Sequence, residues 1–158
     1  MKKVLLIIPA YNEEESIERT ISSVRNFIKN NALSFHLDYL VVNDGSNDNT
    51  EKLVRNMGVD LINLRTNLGL TGGFMAGMKY AQRHSYDFAI QFDADGQHLP
   101  EYISIMVDAS ENGADVVVGS RFVEEKRPNS LRMAGNTLIS TAIKVTTGQT
   151  INDPTSGM

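Results

Sequence analysis

Two kinds of hydrophobic pattern alternate along the chain. Residues 4–9 form a continuous aliphatic run, and further candidate strands lie at 37–42, 59–64, 86–93 and 114–120. Continuous apolar runs are typical of parallel strands that are covered on both faces. Between the runs, apolar residues recur every three or four positions, which predicts amphipathic helices. The pattern therefore predicts an α/β fold with a mostly parallel central sheet flanked by helices, a Rossmann-like arrangement.

Local signals place the predicted helices. The first follows Asn12, its predicted N-cap, and carries an apolar stripe of Ile17, Ile21, Val24 and Ile28. The others span about 50–57, 72–84 and 100–110, and a last one begins at Arg132. Thr50 or Asp48 is the predicted N-cap of the second helix, and Gly58 its stop.

Polar segments follow each of the first four predicted strands. They read PAYNEE, NDGSND, NLGLTGG and DADGQH. In open α/β sheets, ligands bind beyond the carboxyl ends of the strands, where the strand order reverses. We therefore expect Tyr11, Asp44, Asp93 and Asp95 to converge at one edge of the sheet.

Composition narrows the functional class. With 158 residues, 41% of them hydrophobic, the chain is long enough for one compact domain without structural metals or disulfides. The net charge of −4 offers no electrostatic footprint for nucleic acid, so none is expected as a partner. The absence of cysteine excludes disulfides and a cysteine nucleophile, and is compatible with the cytoplasm. The basic, aliphatic start resembles a signal peptide, but Pro9 and the glutamates after it favour a buried strand.

Asp93 and Asp95 carry the sharpest chemical signal. Two carboxylates leaving a strand, with Gly96 allowing a tight turn, suit a hard divalent cation that is completed by substrate phosphates. The alternative is a solvated acidic turn. An EF-hand is excluded, because its glycine and glutamate positions are not matched. His36, His84 and His98 are too scattered for a metal set, so we expect them at the surface or at helix entries; the alternative for His98 is a loop position that approaches the site.

Asp44, Tyr11 and the glycine-rich loop each have two interpretations. Asp44 is placed to accept a hydrogen bond from the imide N–H of a pyrimidine base, or its segment only caps the next helix. Tyr11 offers a ring face to a ligand or is an aromatic of the rim. NLGLTGG matches neither a dinucleotide fingerprint nor a P-loop, so its glycines serve close approach to a ligand or helix packing.

Taken in order, six segments resemble the family 2 glycosyltransferases of GT-A fold: PAYNEEESI, VVNDGSNDNT, NLGLTGGFMAG, QFDADGQHLPE, VVVGSRF and DPTSGM. The nearest branch contains the dolichol- and polyprenol-phosphate sugar transferases. Asn43 departs from the commoner aspartate of the family, so no role is assigned to it. The resemblance implies a nucleotide site at Ala10, Tyr11, Glu13, Asp44 and Asp93, and a Mg²⁺ or Mn²⁺ site at Asp93, Asp95 and Gln97.

The implied activity is inverting, metal-dependent transfer of a sugar from a UDP- or GDP-sugar to an acceptor, a polyprenol phosphate or a glycan. Arg121 and Arg132 match acceptor-phosphate contacts, since arginine suits bidentate phosphate binding. Asp153 matches the base that a hydroxyl acceptor would require, and with Asp95 forms the predicted catalytic pair. The resemblance places the protein in cell envelope polysaccharide biosynthesis.

We expect one domain over residues 1–158, with a donor-binding part over 1–100 and the start of an acceptor part over 101–158. Because the chain ends inside DPTSGM, which continues in the family, we expect a truncated catalytic domain. The alternative function is a non-catalytic nucleotide-sugar-binding fragment. The expected location is the cytoplasm. Two alternatives stay open: the full-length protein associates with the inner face of the cell membrane, and it forms a homo-oligomer.

Overall fold

The computed structural model describes residues 1–119, 139–141, 143–146 and 148. The chain divides into two compact units, Met1–Asp108 and Ala109–Met158. Of the predicted site residues, Arg121, Arg132 and Asp153 lie outside the described residues. The other predicted site residues all belong to the first unit.

Strands and helices alternate along residues 3–111, as the hydrophobic pattern predicts. The continuous aliphatic run becomes a strand whose residues are buried from Val4 onwards, and each later apolar run up to residue 91 supplies one more strand. The elements are β1 Lys3–Ala10, α1 Ile17–Asn30, β2 His36–Asn43, α2 Thr50–Asn56, β3 Asp60–Asn63, α3 Gly69–Arg83, β4 Phe88–Gln91 and α4 Tyr102–Glu111.

The described strands form one parallel sheet in the order β3-β2-β1-β4. β1 pairs with β2 up to Ala10 opposite Asn43, and with β4 up to Ile7 opposite Gln91. The chain therefore moves to one side of β1 for β2 and β3 and to the other side for β4. This reversal leaves a crevice at the carboxyl ends of β1 and β4, where such folds bind their ligands.

Helix α3 packs on one face of the sheet through its small residues. Its Ala81 joins a buried cluster with Leu5 and Ile7 of β1 and with Leu40 and Val42 of β2. A Cβ at Gly77 would lie 2.4 Å from Ile7 Cγ2, so glycine is what lets α3 approach β1 this closely. The close approach places the beginning of α3, at Gly69, beside the same edge of the sheet as the ends of β1 and β2.

Helix boundaries differ from the prediction most clearly in α1 and α3. Asn12 is not the N-cap of α1: that position is Ser16, and Asn12 adopts a left-handed conformation with φ of 56° in the preceding loop. Helix α3 begins at Gly69, three residues before the predicted start, so Gly72 and Gly73 lie inside the helix. Gly58, with φ of 64°, follows the end of α2 as predicted.

The predicted fifth strand is wrong for the part that the structure describes. Residues 114–119 carry no strand, and Val116 is 80% exposed. A short apolar run has β propensity, but it becomes a strand only where a neighbouring backbone supplies the ladder hydrogen bonds. Residues 139–141 and 143–146 are helical, inside the helix that the sequence predicts from Arg132 onwards.

Candidate functional site

The loops that follow β1 and β2 are bound to each other by backbone-directed hydrogen bonds. The amide of Asn12 donates to Ser46 Oγ at 2.9 Å, and the side chain of Asn12 accepts from the amide of Asn47 at 2.9 Å. The amide of Glu13 donates to Thr50 Oγ1 at 2.8 Å. Asn12 is therefore occupied in joining the two loops, which explains why it does not cap α1.

Asp48 strengthens the same connection from the second loop. Its carboxylate accepts hydrogen bonds from the hydroxyl and amide of Thr50 and from the amide of Glu14. Burial alone would raise the pKa of Asp48, but these hydrogen bonds favour the ionised form and together lower it below the usual value. The N-cap of α2 is Asn49, so the prediction of Thr50 or Asp48 at that position is wrong. Asp48 instead holds the amide of Thr50, the first residue of α2, and also fixes the loop after β1.

Asp44 connects the second loop to the third. It is only 3% exposed, its amide donates to the carbonyl of Ala10 at 2.8 Å, and its Oδ1 accepts from the amide of Leu68 at 2.8 Å. Within the described residues, its Oδ2 accepts no hydrogen bond. One carboxylate oxygen therefore holds the start of α3 in place, and the other remains available to a ligand.

Gly45 allows the second and third loops to touch. It has a φ of 71°, and a Cβ there would lie 2.8 Å from the amide nitrogen of Asn67 and 2.9 Å from the carbonyl carbon of Thr66. Those neighbours are backbone atoms, which cannot turn away as a side-chain end can. Any larger residue at this position would push apart the two loops that Asp44 joins.

The D-x-D segment leaves β4 next to β1. The amide of Phe92 continues the ladder by donating to the carbonyl of Ile7 at 2.9 Å. Asp93 Oδ1 then accepts from Gln91 Nε2 at 3.1 Å, and Asp95 Oδ1 accepts from the amide of Gln97 at 2.9 Å. Gly96, with φ of 81°, makes the tight turn that the sequence predicts.

Helix α1 supports this segment from behind. Thr20 Oγ1 donates a buried hydrogen bond of 2.8 Å to the carbonyl of Ala94, the residue between the two aspartates. The guanidinium of Arg19 lies 3.5 Å from the carbonyl oxygen of Asp95 and beside Gly96. Sequence reasoning missed both contacts, because helix positions 74 and 76 residues away carry no local sign of their partners.

Three of the predicted nucleotide-site residues lie in the first loop or at its start. Ala10 is 2% exposed and contributes its carbonyl oxygen to Asp44, whereas Tyr11 is 45% exposed. The Glu13 carboxylate contacts the hydroxyl of Ser16 at the start of α1. The structure thus brings the residues around Asp44 together through hydrogen bonds, and it places Asp93 and Asp95 at the end of the strand beside β1.

The D-x-D residues fit a hard divalent cation. Asp93, Asp95 and Gln97 offer oxygen donors. Within the described part of the chain, the Oδ2 atoms of both aspartates accept no hydrogen bond, and His98 Nε2 lies 3.6 Å from that of Asp93. Across the residues that the structure describes, no group of three or more His, Cys, Asp or Glu residues is arranged to hold a metal. The protein carboxylates would therefore be completed by oxygens from a ligand or from water.

The family profile described as "Glycosyl transferase family 2" matches residues 5–158. The chain belongs to glycosyl transferase family 2. This assignment agrees with the resemblance of the six sequence segments. Among the curated members of family 2, polyprenol monophosphomannose synthase of Mycolicibacterium smegmatis is 33% identical over 128 residues, which is 77% of this chain and 46% of the relative. The chain spans about half the length of the curated relatives that it matches first.

Solved structures of glycosyltransferases share the fold of this family 2 chain. Glucosyl-3-phosphoglycerate synthase of Mycobacterium tuberculosis, in complex with Mn²⁺, UDP and phosphoglyceric acid, aligns with a TM-score of 0.69 at 16% identity, over 99% of this chain and 54% of its own. A mannosyltransferase of Pyrobaculum calidifontis, in complex with GDP-Man and Mn²⁺, aligns with a TM-score of 0.57 at 21% identity, over 74% and 34%. The GT-A fold expected from the sequence is thereby confirmed.

The predicted acceptor residues stand apart from the donor-site residues in what can be said of them. Arg121, Arg132 and Asp153 lie in the part that the structure does not describe, so their roles stay predictions. In the described part, no helix is both long enough and apolar enough to cross a membrane.

Proposed function

We propose that this family 2 protein transfers a sugar, with inversion, from a nucleoside-diphosphate sugar to a polyprenol phosphate, with a divalent cation held at the D-x-D segment. The observation that carries the proposal is the pairing of two open acceptor groups at one edge of the sheet. Asp44 keeps one carboxylate oxygen without a hydrogen bond after β2, and Asp93 and Asp95 each keep one after β4, with His98 Nε2 3.6 Å from that of Asp93. The base of a nucleotide would bind the oxygen of Asp44, and its diphosphate would bind a cation at the D-x-D oxygens.

Asp44 is the proposed base-reading residue. A ring N–H that meets Asp44 Oδ2 would find a charged acceptor whose position is already fixed by the Leu68 amide on Oδ1. Charge-assisted hydrogen bonds of this kind are stronger than neutral ones. Tyr11, exposed in the adjoining loop, is proposed to offer its ring to the same base, with Ala10 and Glu13 shaping the pocket.

Asp93, Asp95 and Gln97 are the proposed cation ligands. A bound Mg²⁺ or Mn²⁺ would supply Lewis-acid stabilisation of the negative charge that builds on the departing nucleoside diphosphate. The two carboxylates would hold this cation beside the diphosphate end of the donor. The two solved glycosyltransferases support this arrangement, because both complexes contain Mn²⁺ together with UDP or GDP-Man.

The acceptor is proposed to be a lipid phosphate. The M. smegmatis relative is named a polyprenol monophosphomannose synthase, which supports that class. A phosphate is already ionised at neutral pH, so its attack requires positioning more than a general base. Arg121 and Arg132 are the proposed phosphate contacts, whereas Asp153 would act as a base only toward a hydroxyl acceptor. Direct attack opposite the leaving group gives inversion, and a polyprenol acceptor would place the protein at the cytoplasmic face of the membrane.

A release assay tests the proposal. The chain is incubated with UDP- and GDP-sugars and Mn²⁺, with and without a polyprenol phosphate, and free nucleoside diphosphate is measured. We expect one nucleotide class to be consumed with the acceptor present, and Asp95→Asn to abolish release. Binding of a nucleotide sugar without any release would favour the non-catalytic binding fragment instead. Failure to bind any nucleotide sugar would contradict both functions.

A further inference from the structure

His98 is held against the D-x-D segment and does not lie at the open surface. Its side chain is only 15% exposed, and its ring meets that of Phe92 edge-on with the centroids 5.5 Å apart. Phe92 is itself 1% exposed, so the ring of His98 closes over a buried aromatic residue. His98 therefore approaches the site as a loop neighbour, the alternative to the expected surface or helix-entry position.

The two nitrogens of the His98 ring face the same residue. Nδ1 accepts a hydrogen bond of 2.9 Å from the amide of Asp93, and Nε2 lies 3.6 Å from Asp93 Oδ2. Because a ring nitrogen that accepts a hydrogen bond carries no proton, Nδ1 is an unprotonated nitrogen of this ring. The His98 side chain thus binds the backbone amide of Asp93 and also lies near its carboxylate.

We propose that His98 is a positioning residue that fixes the orientation of Asp93 toward the cation and diphosphate; the inference rests on the proposed metal-assisted function. Asp93 is then held at three points: its amide by His98, its Oδ1 by Gln91, and its place in the chain by the ladder hydrogen bond of Phe92. A carboxylate fixed in this way loses little conformational entropy when it binds a cation. Replacing a residue that orients a metal-binding side chain commonly weakens metal binding.

The competing role for His98 is packing alone. If the ring only covers Phe92, any flat side chain of similar size should serve as well. If the ring positions Asp93, the acceptor at the Nδ1 position is what matters. His98→Phe keeps the aromatic contact and removes the acceptor. His98→Asn offers an acceptor close to the position of Nδ1, whereas His98→Gln carries its acceptor one atom further out.

Calorimetry on the 158-residue chain separates these roles. UDP and GDP are titrated in Mn²⁺ and in excess EDTA, and the ratio of the two Kd values gives the metal-linked gain for whichever nucleotide binds. We expect His98→Phe to reduce this gain by about 10- to 100-fold, with the affinity in EDTA unchanged. His98→Asn should recover most of the gain, and His98→Gln should not. His84→Phe, a replacement of a ring stacked on Tyr80 at 4.1 Å outside the site, is the matched control and should behave as wild type.

Each outcome decides the proposal. A wild-type gain in His98→Phe, or equal gains in His98→Asn and His98→Gln, would overturn the positioning role. If circular dichroism shows that His98→Phe does not fold, the comparison of the asparagine and glutamine variants decides. If wild type itself shows no metal-linked gain, the metal-assisted function fails, and that result differs from a failure of the His98 inference.

Discussion

Replacing Asp44 separates its two roles, because the two oxygens of its carboxylate have different partners. Asp44→Asn retains an oxygen for the Leu68 amide, which in wild type donates to Oδ1 at 2.8 Å. That hydrogen bond directs the new NH₂ group to the position of Oδ2, where a donor would face the N–H of the nucleotide base. Asp44→Ala removes both acceptors and also releases the start of α3.

The size of the effect follows from burial. Asp44 is 3% exposed, so a base N–H that meets the asparagine NH₂ would be left without an acceptor and with little access to water. Leaving one such donor unpaired costs about 1–3 kcal/mol. This free energy corresponds to a rise in the Kd of the nucleotide by about 5- to 150-fold. The thermal stability of Asp44→Asn should stay close to wild type, whereas Asp44→Ala should also melt earlier.

Isothermal titration with UDP and GDP in Mn²⁺ measures the change, and thermal melting of the free protein gives the stability. Asp60→Asn is the control, since it makes the same charge change at an exposed position at the start of β3. We expect the control to bind as wild type does. An unchanged Kd in Asp44→Asn would refute the reasoning and leave Asp44 as a residue that only anchors the third loop.

Three further predictions concern the support of the site. Gly45→Ala should destabilise the protein by about 1–3 kcal/mol in urea unfolding and weaken nucleotide binding, because it adds a backbone clash to a left-handed φ. Gly58→Ala, with φ of 64° and open space around it, should lose less stability and bind the nucleotide normally. Gly77→Ala should lower the free energy of unfolding by about 1–3 kcal/mol through overpacking. Gly73→Ala, whose Cβ would make an ordinary 3.6 Å contact, should leave that free energy unchanged or raise it. Equal stabilities of the two variants would contradict the packing argument. The pKa of Asp48 is lowered on folding, so its contribution is present above about pH 4 and is lost as the pH falls through its folded pKa. The melting-temperature gap between wild type and Asp48→Asn should therefore shrink as the pH is lowered below about 4, and a constant gap would contradict the shift.

The strands and their order along the chain could be predicted because a continuous aliphatic run such as residues 4–9 has few other stable placements. The convergence of Asp44 with the first loop follows from the same pattern, since parallel strands end at a common edge. Residues 114–119 show the limit of this reasoning. Their apolar run looks like a strand, but pairing depends on a neighbour that local sequence does not reveal.

Contacts between loops were beyond prediction for a related physical reason. Asn12 has the residue type of an N-cap, and only the arrival of Asn47 and Ser46 beside it shows that its side chain and amide are used elsewhere. His98 has no periodicity or motif that links its ring to the Asp93 amide. Such roles depend on where a side chain lies after folding, and a single sequence carries no record of the partner.

The most direct test of the central claim is calorimetric titration of the chain with a nucleoside diphosphate in Mn²⁺ and again in excess EDTA. If Asp93 and Asp95 hold a cation that bridges to the diphosphate, the affinity should fall sharply on chelation. Asp95→Asn should bind weakly in both conditions, because it removes a charged ligand of that cation. Equal affinity of the wild-type chain with Mn²⁺ and with EDTA would contradict the account.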